Sequence, residues 1–191
     1  MSSGVPAKSK ASLWLIIAVA AAPVVASYLA YYFWPPAGTV NYGDLLEPRP
    51  LPDPQLTLAD GAPFQLSRLK GKWVLVSVDS GNCDERCARK LLYMRQLRLT
   101  QGKDMDRVER AWLISDDALP RPDALVSYQG TWVVRAAGTG LLDTFPAPVS
   151  AADHIYLIDP LGNLMLRFPR DPEPKRMIKD LSRLLKTSGI G

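Results

Sequence analysis

The fold of this chain is decided by one stretch, Trp73-Val74-Leu75-Val76-Ser77-Val78-Asp79-Ser80-Gly81-Asn82-Cys83-Asp84-Glu85-Arg86-Cys87. Its first six residues are apolar enough to form a central strand of a sheet, and a short polar turn follows them. We expect a helix to begin at this turn, with Asn82 as its N-cap and Cys83 as its first residue. Cys83 and Cys87 would then lie one turn apart on the same face of the helix.

These two cysteines are the only ones in the chain. A helix N-terminus favours negative charge, so the thiolate of Cys83 should form more easily than in a free peptide. Two close thiolates either form a disulfide reversibly or hold a soft ion such as Cu(I). A purely structural disulfide is the alternative, although so short a loop would constrain the unfolded chain little. With one histidine and two cysteines, a zinc site of four Cys and His ligands cannot be built.

A membrane anchor precedes this stretch. No charged residue lies between Lys10 and Asp44, and residues 13–34 are almost continuously apolar. As a helix these residues would span about 33 Å, which is enough to cross a bilayer. The lysines of the tail, residues 1–12, place the tail in the cytoplasm and the rest of the chain on the outer side. A cleaved signal peptide is the alternative, but the apolar stretch is longer than the core of such a peptide.

Beyond the anchor the chain divides into a spacer and one domain. Residues 35–54 are rich in proline and predict a semi-rigid spacer. Residues 55–188 alternate strand, helix, strand and helix, and end with a hairpin and a closing helix. This order, with thiols where the first helix meets a strand, predicts an α/β, thioredoxin-like fold. Asp116-Asp117, after the second inner strand, should form a polar loop that could line the crevice beside the thiols.

Three segments of the domain resemble the Sco/SenC family, the membrane-anchored copper proteins that assist assembly of cytochrome c oxidase. They are Gly71-Lys72-Trp73-Val74-Leu75-Val76, the CxxxC spacing of Cys83-Asp84-Glu85-Arg86-Cys87, and Tyr156-Leu157-Ile158-Asp159-Pro160-Leu161-Gly162. The resemblance covers roughly residues 50–188, and it implies that copper binds at Cys83, Cys87 and His154.

The chain departs from the family pattern at several places, which marks it as a divergent member. Ser80-Gly81-Asn82 stands before the first cysteine, where the family usually has an aromatic-threonine pair. Asp84 and Ala88 stand where the family usually has prolines after the cysteines. The family histidine usually lies five residues before the hairpin tyrosine, whereas His154 lies two before Tyr156. Since side chains alternate along a strand, this offset of three predicts that His154 points to the opposite face of the sheet.

The resemblance implies a copper-binding assembly factor that delivers copper to cytochrome c oxidase or matures its copper site. The implied partners are an oxidase subunit or another copper chaperone, and the activity is transfer rather than catalysis. The short tail is unlike a mitochondrial transit peptide, which indicates a single-pass protein of a bacterial inner membrane with a periplasmic domain. Outside the tail the charges nearly balance within a net charge of +4, so nucleic-acid binding is not expected.

Two other functions stay open from the residues. The first is a membrane-anchored thiol-disulfide oxidoreductase that keeps the copper-ligand cysteines of a partner reduced. Cys83 would attack the partner's disulfide, and Cys87 would resolve the mixed disulfide. The second is a tethered interaction module in which the disulfide is dispensable.

Overall fold

The computed structural model describes residues 10–33 and 41–189. In the first of these segments, Lys10–Phe33 forms a helix, α1, with Pro23 inside it. Residues 12–33 have a mean hydropathy of 2.2, and this is the one helix of the described segments that is long and apolar enough to cross a membrane. The predicted apolar span is therefore confirmed in length and composition. The first nine residues of the predicted tail and residues 34–40 lie outside the described segments.

The second described segment forms a mixed sheet of eight strands flanked by helices. The strands are β1 (Asp44–Pro50), β2 (Leu56–Leu58), β3 (Pro63–Phe64), β4 (Trp73–Asp79), β5 (Val108–Ile114), β6 (Trp132–Arg135), β7 (Ile155–Ile158) and β8 (Asn163–Arg167). The helices are α2 (Glu85–Thr100), α3 (Pro122–Ser127) and α4 (Pro174–Thr187). Turns of 3₁₀ helix cover Leu66–Leu69, Gly102–Arg107, Leu142–Thr144 and Ala151–Asp153. The strands lie in the order β1-β8-β7-β4-β5-β6-β2-β3.

The central strand is β4, as its apolar sequence predicts. All seven of its residues are buried. It pairs with β5 in parallel and with β7 antiparallel, and β5 pairs in parallel with β6. The predicted α/β, thioredoxin-like fold is confirmed, because the cysteines follow this central strand and lead into α2.

The sheet has two buried faces, and α2 covers one of them. On this α2 face, side chains of β4, β5 and β7 pack with Leu91, Met94 and Leu97 of α2 and with Met177 and Leu181 of α4. On the opposite face, the alternate side chains of the same strands pack with residues such as Leu69, Leu141 and Phe145. Each strand therefore sends its odd and even residues to different environments.

The predicted spacer is wrong over part of its length, because residues 44–50 form β1 and extend the sheet beside β8. Pro48 and Pro50 fit this strand because it is an edge strand, where a missing N–H breaks no ladder. The segment is also tied to α4. The Asp180 carboxylate accepts hydrogen bonds from the amides of Tyr42 and Gly43 at 2.6 and 2.9 Å. The folded domain consequently begins before residue 55.

Candidate functional site

The thiol pair lies in the loop between β4 and α2. Cys83 and Cys87 form a disulfide, with their Cα atoms 5.1 Å apart. The predicted helix start is wrong by two residues, because the helix begins at Glu85 and its N-cap is Asp84 rather than Asn82. The Asp84 carboxylate accepts a hydrogen bond of 2.9 Å from the Cys87 amide. Cys83 stands before the helix with a φ of +38°, a conformation that residues other than glycine rarely adopt.

The two sulfurs differ in their access to solvent. Cys87 is 1% exposed and belongs to the core of the α2 face, whereas Cys83 is half-buried. A cleft of about 210 Å³ opens beside Cys83. Its lining residues are Gly81, Asn82, Cys83, Ala88, Arg121, Asp123, Ser127 and Tyr128. Of the two sulfurs, that of Cys83 is therefore the one that molecules in the solvent can reach.

The loop that carries Cys83 is held by the loop after β5. The Asp116 carboxylate accepts hydrogen bonds from the amides of Gly81 at 2.9 Å and Ala118 at 3.2 Å. A hydrogen bond from the Ser80 side chain, followed by the one from the Gly81 amide, holds the pKa of Asp116 below its usual value. A Cβ on Gly81 would lie 2.0 Å from the Ala118 carbonyl oxygen, so only glycine fits there. Asp116 thus holds the Cys83 loop in place, as part of the polar loop that the sequence predicts, but neither Asp116 nor Asp117 is among the residues that line the cleft.

A buried ion pair lies under the first turns of α2. The Lys90 ammonium and the Asp79 carboxylate are 2.7 Å apart, and their side chains are 4% and 7% exposed. The Ser77 hydroxyl also donates to Asp79, and Lys90 donates to the Ala152 carbonyl at 2.6 Å. Burial raises the pKa of Asp79 and lowers that of Lys90, and each charge partly offsets this effect on the other. Each charge is therefore kept in the core by its partner.

A second set of charges connects α2 to the turn before β7. The Asp153 carboxylate lies 2.7 Å from a nitrogen of Arg86 and 3.3 Å from a nitrogen of Arg170. Sequence reasoning missed both this contact and the Asp79–Lys90 pair. One signal was available, because Lys90 lies in the buried stripe of α2 that also contains Cys87 and Met94. A charge in such a stripe indicates a partner in the core.

His154 lies directly before β7 and is buried. Its Nδ1 lies 2.8 Å from the Phe168 carbonyl oxygen, which can only accept, so Nδ1 carries the proton and Nε2 carries the lone pair. The centroid of its ring is 6.0 Å from that of Tyr156, and Tyr156 packs on the opposite face. The ring of His154 is therefore a neighbour of Tyr156, and the face predicted for His154 from the offset stays a prediction.

The structure brings Cys83 and Cys87 together, but it does not add His154 to them. In residues 10–33 and 41–189, no group of three or more His, Cys, Asp and Glu side chains could hold a metal ion. His154 nevertheless has the arrangement of a metal ligand, because a ligating imidazole typically donates its other ring N–H to a backbone carbonyl or carboxylate. Its role as a copper ligand stays a prediction.

Comparison with protein families gives one match. Residues 73–188 match the model described as the transmembrane-like, thioredoxin-like, C-terminal domain. The match covers more than half of the chain, and the chain belongs to this family. A search of curated proteins found no match.

Among solved structures the chain is similar to Sco proteins. Yeast Sco1 with copper bound matches with a TM-score of 0.63 and 17% identity, over 75% of this chain and 96% of that one. Bradyrhizobium japonicum ScoI with copper bound matches with a TM-score of 0.55 and 20% identity, over 71% and 99%. A putative protein disulfide isomerase from Bacteroides thetaiotaomicron matches with a TM-score of 0.56 and 17% identity, over 77% and 95%. These similarities confirm the fold that the Sco/SenC resemblance implied.

Proposed function

We propose that this chain is a membrane-anchored copper carrier of the Sco type. In its reduced form Cys83 and Cys87 take up one copper ion and pass it to, or help mature, the copper site of cytochrome c oxidase. The observation that carries the proposal is the placement of both sulfurs at a strand-to-helix turn of a Sco-like fold, one accessible and one buried. Two thiolates held this close suit Cu(I), which prefers soft sulfur ligands.

The proposal assigns His154 as a third ligand through Nε2. A nitrogen ligand would complete a set that also accepts Cu(II). The Phe168 carbonyl fixes the proton on Nδ1 and so leaves Nε2 free to bind a metal. Because the described residues of the disulfide form contain no group of three or more potential metal ligands, binding of copper by all three residues would require the Cys83 loop and His154 to come closer together.

The proposed setting is a bacterial inner membrane with the domain in the periplasm. The supporting observation is α1, which is long and apolar enough to span the bilayer. The lysines of the leading tail support a cytoplasmic N-terminus by the positive-inside rule. An oxidase subunit or another copper chaperone on the outer side would be the partner.

The second candidate is a thiol-disulfide oxidoreductase, and the unequal exposure of the two sulfurs favours it. Reduced Cys83, the accessible thiolate, would attack a partner disulfide and form a mixed disulfide. This attack would release one partner thiol, and Cys87 would then attack the Cys83 sulfur and displace the partner sulfur still bound to it. The products are the Cys83–Cys87 disulfide and two reduced thiols on the partner. The two electrons come from this chain, so a second dithiol protein must reduce it again.

A copper titration of the reduced full-length chain in detergent micelles separates these functions. Wild type, Cys83→Ser and His154→Ala would compete for Cu(I) with a chromogenic chelator, and Ser127→Ala, which alters the same cleft without removing sulfur, is the control. We expect tight one-to-one binding in wild type and the control, a loss of at least 100-fold in Cys83→Ser, and a clear weakening in His154→Ala. If His154→Ala binds Cu(I) as tightly as wild type, the copper proposal stands with Cys83 and Cys87 as ligands and without His154.

Failure of wild type to compete with the chelator would overturn the copper proposal. The oxidoreductase would then be tested by reduction of a disulfide peptide with the same variants. Cys83→Ser should abolish this activity, whereas His154→Ala should leave it unchanged, since disulfide exchange needs no third ligand. If the double Cys→Ser variant still supports oxidase activity in cells, both functions fail and the interaction module remains.

A further inference from the structure

The loop that carries Cys83 has little to hold it from within. Two hydrogen bonds lie within the loop. The Cys83 amide donates to the Ser80 carbonyl and the Asn82 amide donates to the Ser80 hydroxyl, both at 3.1 Å. Cys83 also adopts a φ of +38°, which costs about 1 kcal/mol or more for a residue with a Cβ. An unsupported loop would therefore leave this conformation easily.

The support comes from the loop after β5. Asp116 Oδ1 accepts a hydrogen bond of 2.9 Å from the Gly81 amide and, within its own loop, one of 3.2 Å from the Ala118 amide. The Ser80 side chain also interacts with the Asp116 carboxylate, and this interaction is the largest cause of the lowered pKa of Asp116. One carboxylate thus joins the two loops immediately before Cys83. The absence of a side chain at Gly81 lets the Ala118 carbonyl approach at the same point.

The two cysteines are held in different ways. Cys87 is fixed by the helix and by burial in the core, and its amide is bound to the Asp84 carboxylate at 2.9 Å. Cys83 lies outside the helix, so the spread of distances between the two sulfurs depends mainly on its loop. Both disulfide formation and chelation of one ion by two sulfurs depend on the effective concentration of one thiol near the other.

We propose that Asp116 is a positioning residue that sets the effective concentration of the Cys83 thiol near Cys87. It touches neither sulfur, and it acts by holding Ser80 and Gly81 against the loop after β5. The chain would lose thiol pairing without unfolding if this carboxylate were removed. An effect of Asp116 on copper binding rests on the proposed function. Its effect on formation of the Cys83–Cys87 disulfide does not depend on copper.

The test is the equilibrium of the Cys83–Cys87 disulfide with glutathione, measured on the full-length chain in micelles by alkylation of free thiols. Asp116→Ala removes all the acceptors and should lower the equilibrium constant for disulfide formation about tenfold, which makes the reduction potential about 30 mV less negative. Asp116→Asn keeps one carbonyl acceptor and should fall between Ala and wild type. The matched control is Asp117→Ala, at the neighbouring exposed position, and it should change the constant less than twofold.

Thermal unfolding of each reduced variant separates positioning from general loss of structure. If Asp116→Ala does not fold, Ser80→Ala removes one donor and should lower the constant about threefold. A folded Asp116→Ala or Ser80→Ala with an equilibrium constant within twofold of wild type would overturn the proposal. A shifted equilibrium in a chain that binds no Cu(I) would keep the proposal and remove the copper function. Tight Cu(I) binding by a chain whose disulfide equilibrium is not shifted in the variants would support the copper function and overturn the positioning role of Asp116.

Discussion

The alternating residues of β7 point to the two faces of the sheet, and the side chains near them differ in charge from one face to the other. Ile155 and Leu157 point to the α2 face, where Cys87 and the Asp79–Lys90 ion pair are also found. Tyr156 points to the opposite face, and the His154 ring lies beside it. The α2 face therefore combines sulfur with buried charge, whereas the imidazole of His154 and the phenol of Tyr156 each hydrogen-bond to a backbone carbonyl.

This difference teaches that proximity in sequence to a family motif does not decide where in the core a side chain packs. His154 precedes the hairpin that resembles the Sco/SenC pattern, yet in the disulfide form its ring lies beside Tyr156, which belongs to a different core cluster from Cys87. The difference should also be visible in stability. A buried charge that loses its partner costs several times more than a neutral hydrogen bond.

The largest loss is expected on the α2 face from Lys90→Met. This change leaves the Asp79 carboxylate buried without its partner, and we expect a loss of about 3–5 kcal/mol in the free energy of unfolding at pH 7. Urea unfolding of the oxidised chain in micelles would measure it. Lys103→Met, at an exposed position, should stay within about 0.5 kcal/mol of wild type. A loss below about 1 kcal/mol for Lys90→Met would mean that the buried ion pair does not make substitutions on the α2 face more costly than those on the opposite face.

The same variant should depend on pH in a defined direction. Burial raises the pKa of Asp79, and removal of Lys90 takes away the interactions that oppose this rise. A carboxyl with a raised pKa contributes stability below its unfolded pKa of about 3.9 and loses it as pH rises through the folded value. The deficit of Lys90→Met should therefore grow from pH 4 to pH 8. Asp79→Asn in the Lys90→Met background should remove that slope.

A smaller loss is expected on the opposite face from His154→Phe. Phenylalanine keeps an aromatic ring beside Tyr156 but cannot donate to the Phe168 carbonyl, which lies in a buried part of the chain. An acceptor left without its donor costs about 1–3 kcal/mol. Urea unfolding of the oxidised and reduced chains should give the same loss. A loss confined to the reduced chain would instead indicate that His154 changes its contacts when the disulfide opens.

Tyr156→Phe should cost less again. The Tyr156 hydroxyl donates to the Pro146 carbonyl at 3.0 Å, and a neutral hydrogen bond contributes about 0.5–1.5 kcal/mol. Burial raises the pKa of Tyr156 to about 12, so the hydroxyl stays protonated well above neutrality. The stability linked to this raised pKa is present below the unfolded value of about 10 and is lost only above it. The difference between variant and wild type should consequently be constant from pH 6 to pH 9.

The smallest effect is expected from Arg86→Ala, although its partner Asp153 is buried. The Arg86 side chain is 45% exposed, and Asp153 keeps a second cation in Arg170 at 3.3 Å. Exposed pairs contribute about 0–1 kcal/mol, and we expect about 0.5 kcal/mol at low salt and less at high salt. Unfolding at two salt concentrations would measure it. A loss near that of Lys90→Met would show that the pair of Arg86 and Asp153 stabilises the chain as strongly as a fully buried pair, despite the exposure of Arg86.

The parts of the fold that follow from local sequence were predicted well. The apolar run of β4, the spacing of the cysteines and the turn chemistry of the last hairpin each depend on neighbouring residues. In that hairpin the Asp159 carboxylate accepts from the amides of Leu161 and Asn163 at 2.9 and 2.8 Å, as aspartate in a turn does. Such signals need no knowledge of the rest of the chain.

The errors arose where a distant partner decides the outcome. Asn82 and Asp84 are both good N-caps, and only the folded loop selects Asp84. The sequence of β1 has two prolines and no clear alternation, so its strand exists because β8 offers it an edge. The Asp79–Lys90 pair likewise joins residues of two elements, and sequence cannot tell which of many charges will meet.

The attachment of residues 42 and 43 to Asp180 has a consequence for biosynthesis. These contacts join positions 138 and 137 residues apart, so this attachment to α4 cannot form until nearly the whole chain has been made. The cysteines emerge from the ribosome about 90 residues before Asp180, which at about 5–20 residues per second is an interval of roughly 5–20 s. During that interval both sulfurs belong to an unfinished chain. Cys87 is then open to the solvent and to reaction, whereas the completed core closes it off.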